Sequence, residues 1–127
     1  MTRFLWVCAG GAIGSGARYL LGNWIIERLG AAFPFHTLAV NLLGSFLLGG
    51  LMHVGVSTDV MSPTVRFTLA TGVLGGFTTY SSFNYETLRY LQHGAWLAGV
   101  TNVAGTVFGC LVAGVLGFAL AARLVGQ

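Results

Sequence analysis

The polar side chains that recur at helical spacing in this chain are carboxamides, hydroxyls and a thiol, rather than acids, bases or metal ligands. Asn41 stands in the run H-T-L-A-V-N-L-L-G-S-F, with Thr37 one turn before it and Ser45 one turn after. Asn102, Thr106 and Cys110 repeat the same i, i+4, i+8 pattern near the C-terminus, so each trio shares a helix face. Between the two trios, G-V-L-G-G-F-T-T-Y-S-S-F-N-Y-E sets Thr78, Thr79, Ser81, Ser82 and Asn84 around two aromatics, Tyr80 and Phe83. A carboxamide has two donors and two acceptor lone pairs, which in lipid must be used on a neighbouring helix or on a permeant species. Asn41 as helix glue and Asn41 as pathway lining are both open on spacing alone. The same holds for Thr106, because a threonine hydroxyl in a span often bonds back to its own helix. No nucleophile with a positioned base and no metal cluster stands out, which makes an enzyme the least favoured class.

The elements that carry these residues follow from composition. Of 127 residues 55% are hydrophobic and 7% charged, with a mean hydropathy of +0.80, against ~25% charged in a soluble domain. An all-α integral membrane protein is expected, one domain of about four spanning helices over residues 4–26, 36–54, 66–91 and 95–122. The N-terminal run continues through Arg18 into a span-length segment without a small-residue cleavage site, and is kept as the first helix. Gly10, Gly11, Gly14 and Gly16 there suit close helix packing. Arg18 lies well inside that span and belongs in an aqueous vestibule. The third span is the odd one: Gly72, Gly75 and Gly76 run straight into the hydroxyl-rich stretch, and this predicts an interruption at membrane depth. Irregular backbone survives there only against protein, an ion or a water-filled path, so the stretch reads as an ion or substrate site.

The remaining polar residues set limits. Glu86 is the one acid inside a predicted span and is assigned a solvated or hydrogen-bonded structural role over proton coupling. His36 and His53 fall near span ends, where a ligand role is not expected. Cys8 and Cys110 lack metal-ligand spacing and are expected to be small, buried and reduced. The +3 net charge, six Arg against three acids, is spread too thinly to mark a nucleic-acid surface. Arg3, Arg66 and Arg123 fall on one predicted side of the membrane and Arg28 and Arg89 on the other, with Arg18 leaning to the second. So flat a distribution does not fix orientation, and a chain that inserts both ways can pair with itself antiparallel.

Three motifs in order, G-G-A-I-G-S-G-A-R-Y, T-L-A-V-N-L-L-G-S-F and G-V-L-G-G-F-T-T-Y-S-S-F-N-Y-E, make the chain resemble the Fluc (CrcB) fluoride channels across nearly its full length. The resemblance implies an antiparallel dual-topology homodimer in the cell inner membrane, with two fluoride pathways at the subunit interface. It also implies a central structural sodium ion, held by backbone carbonyls of the broken third helices. Carried over by position, it puts the pore asparagine on Asn41, the pore aromatics on Tyr80 and Phe83, and the sodium-coordinating carbonyls on Gly75 and Thr78. The vestibule arginine falls on Arg18 and the polar track of the fourth helix on Asn102, Thr106 and Cys110, with the Thr79 and Ser82 hydroxyls completing the pathway. Four positions depart from the pattern: Tyr80 where Phe is usual, Asn84 and Cys110 where Ser is, and His36 where Gly is common.

The chemistry is consistent with that resemblance. Fluoride is small and strongly hydrated, and amide N–H groups, hydroxyls and positive ring edges are compact donors able to replace its water. Weak, multiple sites of this kind permit release as well as entry. A proton-coupled small multidrug transporter would need a carboxylate early in the first span, and none precedes Glu27. A passive assembly subunit would have no use for the broken third helix.

Overall fold

The computed structural model describes residues 1–126 and is all-helical, with no strand among the described residues. Its elements are α1 (Thr2–Leu29), α2 (Phe35–Ser57), α3 (Pro63–Phe67), a wider π-helical segment (Thr68–Leu74), α4 (Gly75–Phe77), α5 (Tyr80–Gln92) and α6 (Trp96–Val125). Local chemistry explains the boundaries. Gly30 (φ 77°) and Gly94 (φ 73°) supply the positive φ that ends α1 and turns the chain towards α6. Pro63 occupies the first turn of α3, and the Ser62 hydroxyl accepts from the Val65 N–H at 3.3 Å as its cap.

By length and composition α1, α2 and α6 can each cross a membrane. The surface agrees: Trp6, Ile13, Leu20 and Trp24 on α1 and Leu97, Phe108, Leu111 and Val115 on α6 are all exposed, while Thr37, Asn41, Thr79, Asn102 and Thr106 are buried. Apolar outside and polar inside is the arrangement that lipid selects.

The helices meet backbone to backbone. α1 lies on the π-helical segment and α4, and α2 packs along α6. A methyl at Gly10 would stand 2.7 Å from the Thr68 carbonyl oxygen, and one at Gly72 would stand 2.8 Å from that of Val7. Gly14 faces the Val73 carbonyl, Gly49 that of Gly114, and Gly117 that of Phe46, each closer than any Cβ permits. The interruption expected within the stretch from Gly72 to Glu86 is present, but it is narrower than the stretch and does not fall on its glycines, Gly72, Gly75 and Gly76. Helical backbone continues through all three, and Gly72 and Gly76 are there to admit α1. The interruption is confined to Thr78 and Thr79.

Candidate functional site

Thr78 (φ −81°, ψ 159°) and Thr79 (φ −150°, ψ 117°) are extended, a conformation that suits β-branched residues. In an unbroken helix the Thr79 N–H would close a turn on the Gly75 carbonyl. Here it donates to Asn41 Oδ1 at 2.8 Å, and Asn41 Nδ2 donates back to the Thr79 carbonyl at 2.9 Å. One carboxamide thus satisfies both backbone groups of the displaced residue, with Asn41 7% and Thr79 8% exposed. The same exchange leaves the Gly75 carbonyl without its helical donor. The Thr78 carbonyl accepts from Arg18 Nη1 at 3.3 Å. Thr79 Oγ1 restarts the helix by accepting from the Ser82 N–H at 3.2 Å, and it donates to Ser82 Oγ at 3.1 Å.

Thr79 lines two cavities. The first, about 320 Å³, gathers Asn41, Thr78, Tyr80, Phe83, Thr106 and Cys110. The Tyr80 and Phe83 rings meet edge to face at 5.5 Å, Phe83 buried and Tyr80 77% exposed in the single chain. Thr106 Oγ1 is buried there without a hydrogen-bond partner. The second, about 480 Å³, holds Ser15, Arg18, Asn23, His36, Thr37 and Ser82. Arg18 therefore stands in a polar cavity, apart from the aromatic pair. Asn102 joins neither cavity: it is 2% exposed and donates through Nδ2 to Thr87 Oγ1 at 3.0 Å. The predicted trio on the last helix is thereby divided, with Thr106 and Cys110 lining a cavity and Asn102 tying α6 to α5.

Glu86 has partners that spacing did not reveal. Thr37 Oγ1 donates to its Oε1 at 2.6 Å, and His36 Nε2 stands 3.3 Å from the same oxygen. A hydrogen-bonded Glu86 was expected, but a separation of 49 residues hides the donor. The only sequence signal was that Thr37 belongs to the Asn41 stripe. Glu86 and His36 line a third cavity of about 500 Å³, with Arg89, Tyr90 and His93. The cysteine expectation needs correction, since Cys8 is exposed on the apolar outer side of α1 and Cys110 is only partly buried. An apolar lipid-facing surface accommodates a thiol as readily as a core does.

Donors around these cavities are neutral apart from Arg18 and Arg89, so the arrangement suits a small anion held weakly at several points. The family described as "CrcB-like protein, Camphor Resistance (CrcB)" matches residues 5–118. A protein of Sorangium cellulosum (strain So ce56) named "Fluoride-specific ion channel FluC" is 53% identical over 125 residues, 98% of each chain. One of the same name from Anaeromyxobacter sp. (strain K) is 52% identical over 113 residues, 89% of this chain and 90% of its own. Another, from Geobacter sulfurreducens (strain ATCC 51573 / DSM 12127 / PCA), is 45% identical over 112 residues, 88% of this chain and 90% of its own.

Proposed function

The chain belongs to the CrcB family, a family of ion channels and not of enzymes, and we propose that it lets fluoride leave the cell passively across the inner membrane. The observation that carries this reading is the helix break pinned by Asn41, with a cavity of neutral donors and ring edges beside it. Asn41 Nδ2 has two N–H groups and spends one on Thr79, which leaves the other for an anion. Thr106 Oγ1 has its donor unassigned, and the Phe83 edge adds a positive rim without a full charge. Thr79, Ser82, Tyr80 and Cys110 extend the path, and Arg18 raises anion concentration in the vestibule. Asn102 contributes by fixing α5 on α6.

In this reading the chain crosses the membrane four times, with the pieces from Pro63 to Gln92 forming the third span, and works as an antiparallel homodimer. The large apolar faces of α1 and α6 support partners or lipid around a single copy. A structural sodium ion would sit on the carbonyls of Gly75 and Thr78 from the two copies. The residues fit: Gly75 has a carbonyl released from the helix, and the Arg18 contact takes only one lone pair of the Thr78 carbonyl. When bound, the ion would tie two breaks together through oxygen dipoles alone. Exchanging sodium for a large organic cation should weaken the purified dimer, and an unchanged dimer would remove the ion from the account. The function is tested by fluoride efflux from liposomes holding the purified protein, with chloride as control. Fluoride release without chloride release and without a pH gradient is expected, and no release above empty vesicles would refute it.

A further inference from the structure

We infer that His36 and Glu86 form a proton-responsive junction between two polar cavities, at which protonation of His36 increases anion passage. The inference rests on the fluoride-channel reading and adds a regulator to it. His36 lines both the cavity that holds Arg18 and the one that holds Arg89, and Glu86 lines the second. Their side chains are 29% and 18% exposed, so each touches the cavities in part, while His36 Nδ1 and Glu86 Oε2 are themselves buried. The His36 ring approaches Glu86 Oε1 through Nε2 at 3.3 Å, on the oxygen that also accepts from Thr37. His36 Nδ1 and Glu86 Oε2 are both without a protein partner.

Neutral His36 that donates from Nε2 leaves Nδ1 as a bare acceptor beside an anionic carboxylate, and that pair repels an incoming anion. A second proton changes both terms. The carboxylate gains a full counter-charge, and Nδ1 becomes an N–H donor with no protein acceptor, free for a small anion. The other groups facing the pair do not reverse this. From α1 these are Arg18 and Tyr19, and from α5 they are Arg89, Tyr90 and His93. Arginine and tyrosine are not side-chain types that switch charge near neutral pH, as histidine is. His93 is the other histidine lining the cavity that holds Arg89 and is controlled separately. Its Nδ1 lies 2.7 Å from the Arg89 carbonyl on its own helix.

The test is fluoride efflux from liposomes at equal pH inside and out, between about pH 8 and about pH 6, with leak from protein-free vesicles subtracted. Wild type is expected to pass about fivefold more fluoride at the acid end, as one local charge near a wet surface allows. His36→Gln keeps a hydrogen-bonding side chain but cannot be protonated, and His36→Gly removes the ring. Both should flatten the profile, with dimer size checked by gel filtration, while His93→Gln should retain it. A flat or falling wild-type profile, or a wild-type slope that survives in His36→Gln, overturns the inference while leaving the channel reading intact. A slope lost only in His93→Gln assigns the sensor elsewhere and also overturns it. Absence of fluoride flux at every pH defeats the channel reading itself, and this inference with it.

Discussion

Replacing Asn41 by Leu isolates what the carboxamide does at the break. The two side chains have the same number of heavy atoms and branch alike, so Leu leaves no cavity of the kind truncation to Ala would, although its greater bulk adds some crowding. What is lost is the pair of bonds at 2.9 and 2.8 Å, and what is left is a Thr79 N–H and a Thr79 carbonyl buried without partners. Side-chain hydrogen bonds between membrane helices average about 0.6 kcal/mol, which sets a floor near 1 kcal/mol for two. An orphaned buried backbone group costs about 1–3 kcal/mol, which sets a ceiling near 6 kcal/mol. We expect about 3 kcal/mol, because Thr79 can recover part of the loss by turning its N–H back to the Gly75 carbonyl and partly healing the helix. Thermal unfolding of purified protein in detergent, followed by circular dichroism and by loss of the proposed dimer, measures the change. Fluoride efflux should fall at least tenfold as a donor disappears and the break closes, one decade being about 1.4 kcal/mol at the barrier. A variant as stable and as conductive as wild type would show that Asn41 neither holds the break nor meets the anion.

Phe83→Ile removes a buried ring edge at similar hydrophobicity and should cut fluoride efflux about tenfold without changing the protein's size on gel filtration; wild-type flux would take Phe83 out of the path. Gly14→Ala drives a methyl into the Val73 carbonyl and should abolish folded protein, whereas Gly16→Ala, with open space around it, should shift thermal stability by less than about 0.5 kcal/mol; equal effects at both sites would contradict the packing. A tag on the C-terminus should be protease-accessible from both faces of the membrane in similar amounts, and labelling from one face only would exclude antiparallel pairing.

Position within the sequence revealed the long helices well, because hydropathy over a span averages many residues. The observed α1 and α2 run one to three residues past the predicted spans at either end, whereas α6 begins one residue later than predicted and ends three residues beyond. The break was located only to a stretch. Glycine opposes helix in water because it loses backbone entropy and gains no side-chain contact, yet against α1 the absence of a Cβ is what allows Gly72 and Gly76 to pack. The decisive partner of Thr79 is Asn41, 38 residues away, and no local pattern encodes that pairing. Asn102 shows the converse limit. Its spacing with Thr106 and Cys110 puts it on the right face, but Thr87 of α5 claims its amide.

The second helix has its main packing partner in the last one, with Gly49 and Phe46 of α2 against Gly114 and Gly117 of α6. About 40 residues separate the end of α2 from the start of α6, so at ~5–20 residues per second α2 waits several seconds in the bilayer before its mate is made. During that interval its small-residue seam is open to lipid and to quality-control proteases. Mutations along the seam therefore act first on how many molecules survive biogenesis. A cell carrying one would show fluoride sensitivity from scarcity, with each surviving channel conducting at the ordinary rate.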